Sequence, residues 1–154
     1  MPGLQPPDTR HLLRDLAAYA KHRELRPVYR LSETARAPRR AWDFVPVDGF
    51  DNLAQALILR LLTPRGELAA LGHPEYGSRV HELIGRENNT RQRNLLKLFI
   101  LEALKNEPRV DKVAELKVEP SPGLRSTVDV LLRIKPVGAA AIVTIGPFAI
   151  ELAV

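Results

Sequence analysis

A chain of 154 residues with 45% hydrophobic and 27% charged residues is long enough to bury a core and too apolar to remain disordered. The absence of cysteine excludes disulfides and thiolate metal sites but leaves the compartment open. A net charge of +5 and a pI near 9.9 invite a nucleic-acid reading, yet nine Lys or Arg against four acids fall in residues 1 to 40, and residues 41 to 154 balance at 14 of each.

The basic segment, residues 1 to 47, reads as an N-terminal helical arm and linker. The N-terminus carries no apolar run of the secretory kind. Leu12, Leu13, Leu16, Tyr19 and Ala20 recur at steps of three and four, which predicts a helix over residues 8 to 24 with Asp8 at its cap. This helix packs either on its own domain or on a partner. Pro27, Pro38 and Pro46 make the following stretch irregular, and Trp42, Phe44 and Phe50 suggest that it lies along a surface.

A compact α+β domain is expected over residues 48 to 154. Asp51 or Asn52 can cap a central helix running to about Leu62, in which "ALILRLL" is apolar almost all round. Thr63-Pro-Arg-Gly66 fits a type I turn with proline second and glycine fourth, Gly72 to Gly77 form a second loop, and a short helix from Ser78 to Ile84 should end at Gly85. The next helix is the clearest: Asn89 can cap it, Gln92 stands at the capping-box position, and Leu95, Leu96, Phe99, Ile100, Ala103 and Leu104 form one stripe.

An antiparallel meander closes the chain. Ala114, Leu116 and Val118 alternate with Glu115, Lys117 and Glu119, and Val128, Val130, Leu132 and Ile134 alternate with Thr127, Asp129, Arg133 and Lys135, with Pro-Ser-Pro-Gly between the runs. The third run, Ala141 to Leu152, is β-branched and nearly uncharged, and Pro147 belongs at a bend, a bulge or an edge. Several helices packed on a C-terminal antiparallel β-meander is the predicted architecture. The longest uncharged segment, Val137 to Ile150, has 14 residues against the roughly 20 that a membrane-spanning helix needs. A soluble protein is expected.

Catalytic signals are weak. Glu67 and Glu75 on the central loops could serve as paired carboxylates, but their spacing encodes no geometry. His73 and His81 with Glu82 lack metal-ligand spacing, and His11 and His22 lie in the arm. There is no nucleophile elbow, no Walker loop and no GxGxxG. No enzyme, metal, cofactor or small-molecule substrate is expected.

"LKNEPRV", Leu104 to Val110, holds the most pointed polar cluster. Pro108 disfavours helix at Glu107, so the helix stops and the chain leaves extended, with Glu107 and Arg109 on one side. They can pair with each other, face a partner together, or be two solvated charges at an ordinary helix stop.

"LAQALILRLLTPRGELAALGHPEYGSRVHELIG" followed by "ILEALKNEPRV" resembles the baseplate wedge, or sheath-initiator, family of contractile phage tails, which type VI secretion baseplates and phage-tail-like injection particles share. The Leu-Thr-x-x-Gly-Glu run, the Pro-x-Tyr-Gly loop and the Glu-Pro-Arg corner occur in the family's order, and the resemblance covers about Asp48 to Leu152. It implies a structural role: Glu107, Pro108 and Arg109 would contact the wedge core, while Ile142, Val143, Ile145, Phe148, Ile150 and Leu152 would join the first ring of sheath subunits by strand addition. The implied partners are other wedge proteins and the sheath protein, with hub or tube-base proteins a candidate for the arm, in six copies per baseplate. Assembly would take place in the cytoplasm, within a particle that can be released, without membrane insertion. Relatives in that family have carried a lysozyme label that these residues do not support. The rival reading is a small basic nucleic-acid-binding protein using the arm, whose binding would weaken steeply with salt.

Overall fold

The computed structural model describes residues 12–21, 28–36 and 41–152. The element order is β1 (Arg14–Leu16), β2 (Ala18–Lys21), β3 (Val28–Leu31), β4 (Glu33–Arg36), β5 (Ala41–Phe44), β6 (Pro46–Asp48), α1 (Gly49–Leu62), α2 (Thr90–Lys105), β7 (Val110–Pro120), β8 (Thr127–Pro136) and β9 (Val143–Glu151), with 3-10 turns at Ala69–Leu71 and Val80–Leu83 between the helices. The fold is α+β, with two helices and a three-stranded antiparallel sheet in the order β7-β8-β9.

The predicted arm helix is overturned over the described residues 12–21, where strands β1 and β2 stand in its place; residues 8–11 and 22–24 of that prediction lie outside the described residues. Three antiparallel ribbons, β1 with β6, β2 with β3 and β4 with β5, meet at a junction. There Ala17 N donates to Val45 O at 2.7 Å, Val45 N to Ser32 O at 2.9 Å, and Ser32 N to Ala17 O at 2.7 Å, closing a ring of backbone bonds. The helical stripe fails because its leucines have no common surface to cover: Leu12 is fully buried, whereas Leu13 and Leu16 are 63% and 40% exposed. Pairing with distant β-formers such as Val45 and Val47 overrides the weak local helix propensity.

Helix α1 starts earlier than predicted, at Gly49 after Asp48, whose side chain makes no capping bond. Asp51 and Asn52 therefore lie inside the first turn rather than at the cap, and Asn52, which is buried, donates through Nδ2 to the Leu12 carbonyl at 2.9 Å. Helix α2 begins where expected: Asn89 Oδ1 accepts from Gln92 N at 3.0 Å. The reciprocal half of the capping box is replaced, since Asn89 N donates to Glu87 O at 2.9 Å.

Between the helices, the turn after α1 closes one residue later than predicted. Glu67 N donates to Pro64 O, so Gly66, at φ +85°, stands third rather than fourth. The predicted helix from Ser78 shortens to the 3-10 turn Val80–Leu83, with Gly85 in the left-handed region just beyond it.

In the sheet, Val128, Val130, Leu132 and Ile134 are buried against the helices, as their alternation requires, while Arg133 and Lys135 face out. Strand β7 departs from the prediction at Ala114, which is exposed. Two bulges against β8, between Val110 and Lys112 and between Val113 and Glu115, shift the phase so that Val113 packs on the core. Strand β9 bulges at Gly146-Pro147, where two residues oppose Leu131 alone, so the proline sits at a bulge on an edge strand. No helix among the described residues is long and apolar enough to cross a membrane.

Candidate functional site: a double-guanidinium corner and an open sheet edge

Three sequence motifs converge on one acid. Pro108 ends the turn after α2 and leaves Glu107 only 4% exposed beneath α1. Its Oε1 accepts from Arg109 Nε at 2.7 Å and from the Arg109 backbone N–H at 3.3 Å. Its Oε2 accepts from Arg109 Nη2 at 3.2 Å and from Arg60 Nη2 at 3.1 Å. Arg60 in turn lies over the Tyr76 ring, 4.5 Å from its centroid. Burial pushes the Glu107 carboxyl up, but hydrogen bonds and charge from Arg109, with the charge of Arg60, outweigh it and hold the group below the ordinary carboxylate range. Burial likewise raises the Tyr76 hydroxyl pKa, against the lowering effect of the Arg60 charge.

Of the three alternatives open for the corner, the structure takes internal pairing. Both Glu107 oxygens are occupied, Pro108 is exposed, and the Arg109 side chain keeps 18% of its surface. Arg60 is the residue that sequence reasoning missed. A lone arginine in the otherwise apolar run Ala56 to Leu62 was the available signal, since a buried charge requires a partner.

The two loops between the helices form one unit. Ser78 N donates to Thr63 O at 2.8 Å and Arg65 N to Ser78 O at 2.9 Å. Gly77 makes the closeness possible: at φ +103°, a Cβ there would lie 2.6 Å from Thr63 O and 2.7 Å from Pro64 O. Outside this seam, Arg65 pairs with Glu75 and Glu102, and Arg79 pairs with Glu82 while stacking 4.4 Å from the Phe99 ring. Glu67 and Glu75, the candidate paired carboxylates, are both exposed. His73 and His81 are exposed as well, and no group of three metal-ligating side chains gathers among the described residues.

The second candidate surface is β9. Ile145, Ile150 and Leu152 turn into the core, Val143 and Phe148 pack against it, and Ile142 is 46% exposed. Among the described residues β9 pairs only with β8, so its outer border is open. Leu152 N donates to Ser126 O at 2.7 Å, and the two-residue period of the strand then turns the N–H groups of Ala149 and Glu151 away from β8. Beyond the strand, Leu152 O accepts from Gly85 N and Arg86 N, which ties the strand end to the loop before α2.

No family model matches the chain, and no curated protein matches it. Among solved structures it is similar to a crystal structure of a candidate tail lysozyme from Geobacter sulfurreducens, at 19% identity and a TM-score of 0.53, over 67% of this chain and 90% of that one. At that identity the likeness shows a shared fold.

Proposed function

We propose that this protein is a structural component of the baseplate of a contractile injection machine. It bridges the baseplate wedge, through the corner of Glu107, Pro108 and Arg109, to the first ring of sheath subunits through β9. The observation that carries the reading is the contrast between the two borders of the sheet. Strand β7 has two bulges and carries Asp111, Lys112, Glu115, Lys117 and Glu119, the usual defences against edge pairing. Strand β9 confines its one bulge and its proline to Gly146-Pro147 and carries Glu151 as its single charge, so beyond the bulge Phe148 to Glu151 leave backbone groups for a strand of another chain, which strand addition would satisfy. The shared fold with a protein named as a tail lysozyme supports a tail setting. At the corner, Glu107 fixes the guanidinium plane of Arg109, and a partner would meet Pro108 and the exposed edge of Arg109.

The name of that solved structure favours a second reading, a peptidoglycan hydrolase. A glycosidase requires one carboxyl held protonated near neutrality. Among the described residues, the carboxyls that are displaced, Glu82, Glu107 and Glu115, are all displaced downward by neighbouring Arg or Lys groups. Incubating the purified protein with peptidoglycan decides between them: soluble glycan fragments released at a rate above that of Glu67→Gln and Glu75→Gln variants would establish hydrolysis.

Strand addition is tested by Ala149→Pro, which removes an outward donor and leaves the β8 ladder intact. The variant should fold, join the baseplate and yield particles without sheath, seen by electron microscopy. Normally sheathed particles would refute the template role. Truncating the strand is a poorer test, because Ile150 and Leu152 belong to the core.

A further inference from the structure

The chain's own arm occupies the neighbourhood of the Arg109 corner. Leu12 is completely buried, and its carbonyl accepts from Asn52 Nδ2 at 2.9 Å and from Arg109 Nη1 at 3.4 Å. One turn further along the same helix face, the Gln55 amide grips the arm again: Nε2 donates to Leu16 O at 2.9 Å, and Oε1 accepts from Ala18 N at 2.8 Å. All four bonds read main chain. The single side-chain requirement is a leucine-sized group at position 12.

The segment between these grips is neither buried nor relaxed. Leu13 is 63% exposed at φ +66°, a backbone conformation that side chains with a Cβ rarely adopt, and Arg14 to Leu16 are exposed. Asn52, Gln55 and Arg109 therefore form a docking strip for extended chain, filled by a segment that carries strain. Arg109 belongs both to this strip and to the Glu107 corner.

Building on the wedge-contact reading above, we propose that residues 12–18 are a latch: they fill the strip in the free protein and yield it to a partner segment that presents an apolar side chain beside a free main-chain carbonyl. Displacement then transfers an Arg109 donor from the arm to the partner, so that donor, unlike the exposed Pro108, becomes available only when a competent segment arrives.

The test uses the full chain and the purified wedge proteins of the same particle. Gln55→Ala puts a good helix former at a partly buried position, so the fold is retained while two arm bonds are lost. Amide hydrogen exchange at Ala18 should accelerate about tenfold, the effect of one to two net hydrogen bonds. Association with the wedge proteins should accelerate by a similar factor. Leu13→Asn, which relieves the left-handed strain, should slow both. Unchanged exchange in Gln55→Ala would show that the strip does not hold the arm. Faster exchange with unchanged or slower wedge association would show that the arm is no competitor. If neither wild type nor variants bind any wedge protein, the baseplate reading fails, while the exchange result still decides whether the strip holds the arm.

Discussion

Glu107 sits in the protein with each carboxylate oxygen facing a guanidinium, and the balance of forces there is decided by what remains if one charge is removed. Glu107→Gln would leave Arg60 buried and Arg109 partly buried against a neutral amide, and breaking a buried ion pair costs about 3 to 5 kcal/mol. A corresponding fall in the urea midpoint is expected. The pH dependence follows from the direction of the shift. The folded carboxyl titrates below its ordinary value of 4.5, so its stabilising effect is complete above that value and is lost as pH falls through the lower folded pKa. Glu107→Gln should therefore flatten the loss of stability below about pH 4.5, measured by urea unfolding at stepped pH. The surface pairs behave differently. Arg65, whose side chain is 35% exposed between Glu75 and Glu102, shares its charges with solvent, and Arg65→Ala should cost under about 1 kcal/mol in the same assay.

At the scale of elements, local chemistry and close approach act separately. Asn89 satisfies an orphan N–H of α2, so Asn89→Ala should cost about 1 kcal/mol without changing the fold, measurable as a shift in thermal midpoint. Gly77 has no such latitude. A methyl group at φ +103° would stand 2.6 Å from a backbone oxygen, and the oxygen belongs to the turn that ends α1. Gly77→Ala should part the two loops, lower stability by more than about 2 kcal/mol, and raise amide exchange at Arg65 and Ser78. Much of this level was legible in the sequence. The α2 stripe and cap, the alternation of β8 and the placement of Pro147 depend on neighbours within a few residues, and so their pattern carries them. The Ala114 alternation failed because a bulge is set by the partner strand, and the arm helix failed because strand partners lay 30 residues away, as Leu16 with Pro46.

For the whole molecule, the charge asymmetry takes on a structural meaning. The basic arm is tied back by Leu12, Asn52, Gln55 and Arg109, and the neutral sheet presents one defended border and one open one. Such a layout fits a bridge with two faces that engage different proteins in order. On the proposed baseplate role, the protein should co-purify with native particles in fixed ratio to wedge and sheath proteins, quantified by mass spectrometry. A ratio varying between preparations would count against a stoichiometric component.

Composition and periodicity alone determined an α+β chain with a neutral compact part, a strong helix before the sheet, a meander and a nearly uncharged last strand, because each follows from the short-range spacing of residues. The tertiary structure decided what the polar residues do. Arg60 meets Glu107 across 47 positions and Arg109 meets Leu12 across 97, and no local pattern encodes which buried charge or carbonyl a folded chain will bring within 3.5 Å.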